Sequence, residues 1–300
     1  MEINNASQSL TNSDNRKAYR SFWTEMKGVP FSQGWIKAGG LNTRYLHTGS
    51  EEKPNLIMLH GFIGNAEVFI SNLAAHGEYF NTYAIDMIGC GYTDKPSYDY
   101  HIPRVAEHVK DFIDALGFKK TSLLGTAYGA RVAARFAVEY PDRLNKLSLV
   151  SPAGLRFDPE LGARLVKSHD AIEDTSWEAT KHVVNRLFGG RRVIDDMIAS
   201  RQTIFQQPEM KEAKKHISVV HLSGKAEMSL ITKDEFKTIQ APTLVIKGVL
   251  DETSDTQSAR EIADLIPNSQ FVIIKGCDRG PYFEDPETFN KIHLDFLLDQ

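Results

Sequence analysis

Thr121-Ser-Leu-Leu-Gly125-Thr126-Ala127-Tyr128-Gly129 runs directly into residues 130–140, and the two stretches read differently. The first begins as a short apolar run closed by glycine, the pattern of a strand covered on both faces. The second spaces its apolar residues as one face of a helix. A turn of a few residues separates them, with Gly125 at its start and Gly129 at its end. The turn lies at the carboxyl end of a strand, where open α/β sheets bind their ligands.

The same pattern recurs on either side. Compact apolar runs occupy 55–60, 82–86, 147–151, 243–248 and 271–276, each bounded by glycine or proline. Helical spacing fills the gaps, as at 105–116, where Val105, Val109, Phe112, Ile113 and Leu116 share a face, and again at 258–266 and 286–298. The last of these opens with Asp285-Pro286, an N-cap followed by proline at the first helical position. Residues 34–49 alternate around Gly39-Gly40-Leu41-Asn42, which predicts a β-hairpin. Strands alternating with helices predict an α/β fold: a doubly wound, mostly parallel sheet of about eight strands. Between 155 and 237 the alternation stops. Amphipathic patterns at 159–168, 177–187, 192–207 and 209–222 predict a helical lid inserted after the fourth run. The expected organisation is an N-terminal extension at 1–30, a core of 31–154 and 238–300, and a lid at 155–237.

Composition narrows the function. The chain has 300 residues, 41% of them hydrophobic, which is too apolar for a largely disordered chain. Thirty-five Lys and Arg against 39 Asp and Glu give a net charge of −4, with no general drive toward nucleic acid or an anionic membrane. No run reaches the roughly 18 apolar residues of a membrane span. The polar first twenty residues lack the apolar region of a signal peptide. Cys90 and Cys277 stand alone, so neither a disulfide framework nor a cysteine zinc site is expected. The four histidines at 169, 182, 216 and 221 have no metal-ligand spacing, and no Gly-x-Gly-x-x-Gly precedes a helix. A cytoplasmic protein without metal or cofactor is expected, its partner a small-molecule ligand or substrate rather than nucleic acid or membrane, with a homodimer left open.

What stands at the strand ends is more specific. His60-Gly61-Phe62 follows the third strand, Gly-Thr-Ala127-Tyr128-Gly the fifth, Gly248-Val-Leu-Asp251 the seventh and Gly276-Cys-Asp-Arg279-Gly-Pro281 the eighth. In this order the chain resembles the α/β-hydrolase family from about residue 34 to 298. Gly39-Gly40-Leu-Asn-Thr-Arg44-Tyr45, Gly91-Tyr-Thr-Asp-Lys-Pro96 and Ile239-Gln-Ala-Pro-Thr-Leu244 are similar to the meta-cleavage-product hydrolases, which cut carbon–carbon bonds in vinylogous diketo acids. The resemblance implies a Gly-x-Ser-x-Gly nucleophile elbow, an acid after strand seven and a histidine after strand eight. It also implies an oxyanion hole built from the backbone N–H groups of Phe62 and Tyr128, with His60 a structural part of that loop.

Two positions depart from this pattern. The nucleophile position holds Ala127, which has no hydroxyl, and the histidine position holds Arg279, which stays protonated near neutral pH. Of the three expected residues only Asp251 remains. A serine acyl-enzyme is chemically closed to this sequence. An introduced Ser→Ala change accounts for residue 127 but not for residue 279. No neighbour is expected to substitute: Thr126 should point away from the pocket, Ser122 lies inside the strand, and Cys277 falls two residues short. Arg279 reads either as an ion pair with Asp251 or as a clamp for a ligand carboxylate. If Asp278 pairs with it instead, Asp251 is left as a general base. The expected function is a repurposed enzyme of lyase, decarboxylase, isomerase or cyclase type, acting on a small carboxylate, keto-enol or polyketide-like substrate. The alternatives are a hydrolase of C–C or ester bonds with unrecognised catalytic residues, and a non-catalytic ligand-binding pseudoenzyme.

Overall fold

The computed structural model describes residues 21–167, 173–188, 193–250 and 256–299. Its strands are β1 (Phe31–Ala38), β2 (Leu41–Thr48), β3 (Asn55–Leu59), β4 (Asn81–Ile85), β5 (Thr121–Thr126), β6 (Leu144–Val150), β7 (Thr243–Gly248) and β8 (Ser269–Ile274). Among the described residues these eight form one sheet in the order β1-β2-β4-β3-β5-β6-β7-β8. β1 and β2 pair antiparallel, as do β2 and β4, and every later pairing is parallel. The expected hairpin is present, and Gly39 and Gly40 turn it with φ of +56° and +85°, values that favour glycine.

The helices are α1 (Phe22–Glu25), α2 (Ile70–Gly77), α3 (Ile102–Ala115), α4 (Tyr128–Glu139), α5 (Pro159–Lys167), α6 (Trp177–Leu187), α7 (Asp195–Phe205), α8 (Met210–Ser218), α9 (Lys233–Lys237), α10 (Thr256–Leu265), α11 (Pro281–Glu284) and α12 (Pro286–Leu297). Asp285 caps α12 as its sequence predicts, accepting a hydrogen bond from the Thr288 N–H at 3.2 Å. Successive residues of β3 face opposite layers. Ile57 and Leu59 join a core with Val105 and Phe112 of α3 and Val132 and Phe136 of α4. Leu56 and Met58 join a second core with Leu73 of α2 and Phe289 of α12. Helices therefore cover both faces, which is why the strands are near-continuously apolar rather than alternating.

Between β6 and β7 the regular elements among the described residues are helices, joined by loops. Val183, Ile204 and Ile217 of this stretch pack into the first core, and Val184 and Ile198 into the second. Among the described residues no helix is long and apolar enough to cross a membrane.

Candidate functional site

The turn from β5 into α4 is built by steric necessity. A Cβ on Gly125 would collide with the Gly129 carbonyl oxygen, and one on Gly129 would stand 2.5 Å from the His60 carbonyl oxygen. Glycine at both positions lets α4 press against β5 and β3. Ala127 at the tip has φ +50° and ψ −106°, a region that costs a side-chain-bearing residue on the order of 1–3 kcal/mol. Its N–H donates to the Val150 carbonyl at 2.9 Å, and its carbonyl accepts from the Arg131 N–H at 3.2 Å. The backbone thus holds the strained tip even though the side chain presented there is a methyl group.

The loop after β3 is pinned from beneath by His60. Its Nδ1–H donates to the Gly61 carbonyl at 2.8 Å, and its Nε2 accepts from the Met87 N–H at 3.1 Å. Both ring nitrogens are used in one neutral tautomer, and burial pushes the pKa down to about 4. His60 thus commits both ring nitrogens to the backbone of its own loop and of Met87. The loop it holds meets the elbow closely, since a Cβ on Gly61 would lie 3.9 Å from that of Ala127. Phe62 sets its ring edge-on to Tyr128 at 6.0 Å and to His221 at 4.6 Å.

Arg279 stands on the loop between β8 and α11. The Glu284 carboxylate accepts from the N–H groups of Asp278, at 2.8 Å, and Gly280, at 2.9 Å, and so fixes the backbone on both sides of Arg279. The Ser151 hydroxyl, at the end of β6, donates to the Arg279 carbonyl at 3.2 Å. The Leu250 N–H donates to the Cys277 carbonyl at 2.8 Å, tying the loop after β7 to the same place. Asp251, and with it the expected pairing to Arg279, lies outside the described residues.

These loops and the helical stretch enclose a cavity of about 150 Å³. Gly61, Phe62, Ala127, Tyr128 and Arg279, all expected at the site, are in its wall; His60 supports it from below. Thr126 is also among the residues of the wall. It shares a hydrogen bond with the side chain of Tyr282, another wall residue. Cys90 lies buried, and desolvation pushes its thiol up to about 12, so it offers no thiolate at neutral pH.

The cavity is lined by more cations than anions. Its wall carries Arg131, Arg156, Arg201 and Arg279 against Asp158. Asp158 is used locally, accepting from the N–H groups of Glu160 and Leu161 at 2.9 and 3.0 Å. Arg156 is answered by Glu261 at 2.7 Å. Arg201, on α7 and 4% exposed, donates to the Ile63 carbonyl at 2.9 Å and to Asn65 Oδ1 at 3.0 Å. Asn65 in turn donates to Glu67 at 2.6 Å, and Glu67 pairs with the buried Arg44, which also meets Asp86 at 3.0 Å. This chain fixes the head of Arg201 in the wall. Arg131, Arg201, Ser151 and His221 are scattered over 91 positions, from 131 to 221. No local motif gathers them; an arginine repeated at 131 and 135 on an otherwise apolar helix was the one available signal.

A family model for the alpha/beta hydrolase fold matches residues 54–286. The chain is 30% identical over 281 residues to 2-hydroxy-6-oxo-6-(2'-aminophenyl)hexa-2,4-dienoic acid hydrolase of Metapseudomonas resinovorans, covering 91% of this chain and 93% of that protein. It is 25% identical to monoacylglycerol lipase ABHD6 of Rattus norvegicus, covering 88% of this chain and 84% of the relative. Among solved structures it is similar to a serine hydrolase involved in carbazole degradation, with a TM-score of 0.74, 27% identity, and coverage of 90% of this chain and 100% of that one.

Proposed function

Because the chain belongs to the α/β-hydrolase fold family but holds Ala127 and Arg279 where the family's motifs carry serine and histidine, we propose that it is a repurposed enzyme. It acts on a small carboxylate-bearing keto or enol acid without an acyl-enzyme. The observation that carries this reading is the cavity itself, where the two altered positions share one wall with three further arginines. The relative from Metapseudomonas resinovorans is named for a keto dienoic acid, a ligand of this class.

In this reading Arg279 and Arg201 take the ligand's carboxylate, since a guanidinium pairs with a carboxylate through two parallel N–H bonds. The carbonyl or enolate oxygen sits at the backbone N–H groups of Phe62 and Tyr128, where developing negative charge is stabilised without reorganisation. The Ala127 methyl supplies no electron pair, so no bond forms from the enzyme to the ligand's carbonyl carbon and no acyl-enzyme arises. Chemistry then proceeds by proton movement on the enolate, the step shared by lyase, decarboxylase, isomerase and cyclase reactions. His221, in the wall beside Phe62, is assigned the proton transfer. Residues 155–237 serve as the lid that keeps water from the enolate.

Calorimetric titration and turnover assays with a panel of small 2-oxo and enol carboxylates test this. Wild type binds and converts at least one of them, and Arg279→Ala weakens its binding by about tenfold, the worth of roughly 1.4 kcal/mol. Unchanged binding in Arg279→Ala removes the clamp, and no binding of any acid removes the reading.

A further inference from the structure

Two arginines one turn apart on α4 are treated differently by the fold. Arg135 donates to Glu235 at 2.6 Å and to the Leu230 carbonyl at 2.6 Å. Arg131 is just as buried, at 8% exposed, and stands in the cavity wall with its stem against Gly154 of the loop after β6. Among the described residues it has neither a hydrogen-bond nor an ion-pair partner for its side chain, and its Nε–H is enclosed without an acceptor. Burial pushes the guanidinium down to about 10, which leaves it charged at neutral pH. A buried charge with no partner is costly, and an apolar side chain of similar volume would remove that cost.

Arg131 also stands apart from Arg201. Arg201 is bonded to Ile63 and Asn65 of the loop after β3, whereas Arg131 lies beside the loop after β6. The sheet order β3-β5-β6 puts these two loops on opposite sides of the turn that carries Ala127. The wall therefore offers cations on both sides of the reacting position.

We infer that Arg131 binds a second carboxylate of the ligand, so that the ligand is a diacid with an apolar middle. One acid group lies toward Arg201, beside the loop after β3, and the other is seated on Arg131, beside the loop after β6. This rests on the carboxylate-binding reading of the cavity and adds the ligand's second charge to it.

The test uses the full chain and two six-carbon probes that differ by one carboxylate, 2-oxoadipate and 2-oxohexanoate, titrated by calorimetry. Wild type binds 2-oxoadipate at least about tenfold more tightly than 2-oxohexanoate. Arg131→Met brings the ratio to about one, leaves the 2-oxohexanoate affinity within about twofold, and melts no lower than wild type. Equal binding of the two acids by wild type overturns the inference, as does a ratio that survives Arg131→Met. A lower melting temperature with both acids weakened overturns it in favour of a structural arginine. If 2-oxohexanoate binds in a manner that depends on Arg279 while Arg131→Met changes nothing, this inference alone falls. If neither acid binds wild type, the carboxylate reading falls with it.

Discussion

Ala127, at the tip of the turn after β5, and Arg279, on the loop after β8, stand in the wall of one cavity. The two positions thus belong to a single site. Ser151 joins the loops that carry it, by donating its hydroxyl proton to the Arg279 carbonyl. An activated nucleophile donates to a general base, not to a peptide carbonyl, so Ser151 holds the wall rather than replacing the missing serine.

Ala127 keeps a strained backbone without the side chain that would justify it, and this sets its response to substitution. At φ +50° glycine relieves a cost of about 1–3 kcal/mol while adding roughly 1 kcal/mol of unfolded-chain entropy. Ala127→Gly should therefore be neutral or stabilising by up to about 2 kcal/mol in urea unfolding. A loss of more than about 1 kcal/mol would show that the tip is not strained.

Glycines 129 and 61 both border the elbow but differ in room. A Cβ on Gly129 meets the backbone carbonyls of Leu59 and His60, which cannot yield without moving β3. One on Gly61 meets its nearest neighbours at 3.8 and 3.9 Å, an ordinary contact. Gly129→Ala should cost about 3 kcal/mol or more, and Gly61→Ala less than about 1 kcal/mol. Similar costs for the two, read from denaturant midpoints, would contradict the packing described.

Buried histidines give stability a defined pH dependence. Burial pushes His60 and His76 down to about 4 and His108 to about 3, and holds His293 well below the ordinary imidazole value. Each is neutral in the folded chain, while the unfolded chain takes up the proton near pH 6.5. The stabilisation is complete above about pH 6.5 and is lost as pH falls toward 4, by up to about 1.4 kcal/mol per pH unit for each histidine. Urea midpoints should hold steady from pH 8 to 7 and fall steeply between 6.5 and 5. A flat profile across that window would show that these imidazoles are not confined to the neutral form.

Much of the fold was legible because its signals are local. Each short apolar run bounded by glycine became a strand, and Asp285-Pro286 marked the start of α12. Gly39-Gly40 marked the hairpin. The elbow was legible in part for the same reason: Gly125 is demanded by the Gly129 carbonyl four residues on, whereas Gly129 is demanded by the carbonyls of Leu59 and His60 on another strand end and was read through the family resemblance. The cavity wall was not. Arg131, Arg201 and His221 come from elements far apart in the sequence that meet only in the folded cavity wall. Nothing in the spacing of an arginine tells whether its counter-ion will be Glu235, as for Arg135, or absent from the described residues, as for Arg131.

The most direct measurement is intact-mass spectrometry after exposure to a fluorophosphonate, comparing wild type with the Ala127→Ser/Arg279→His double variant. The account predicts no adduct on wild type and one adduct on the double variant, mapped to residue 127. An adduct on any cavity residue of wild type would reveal a working nucleophile and contradict it.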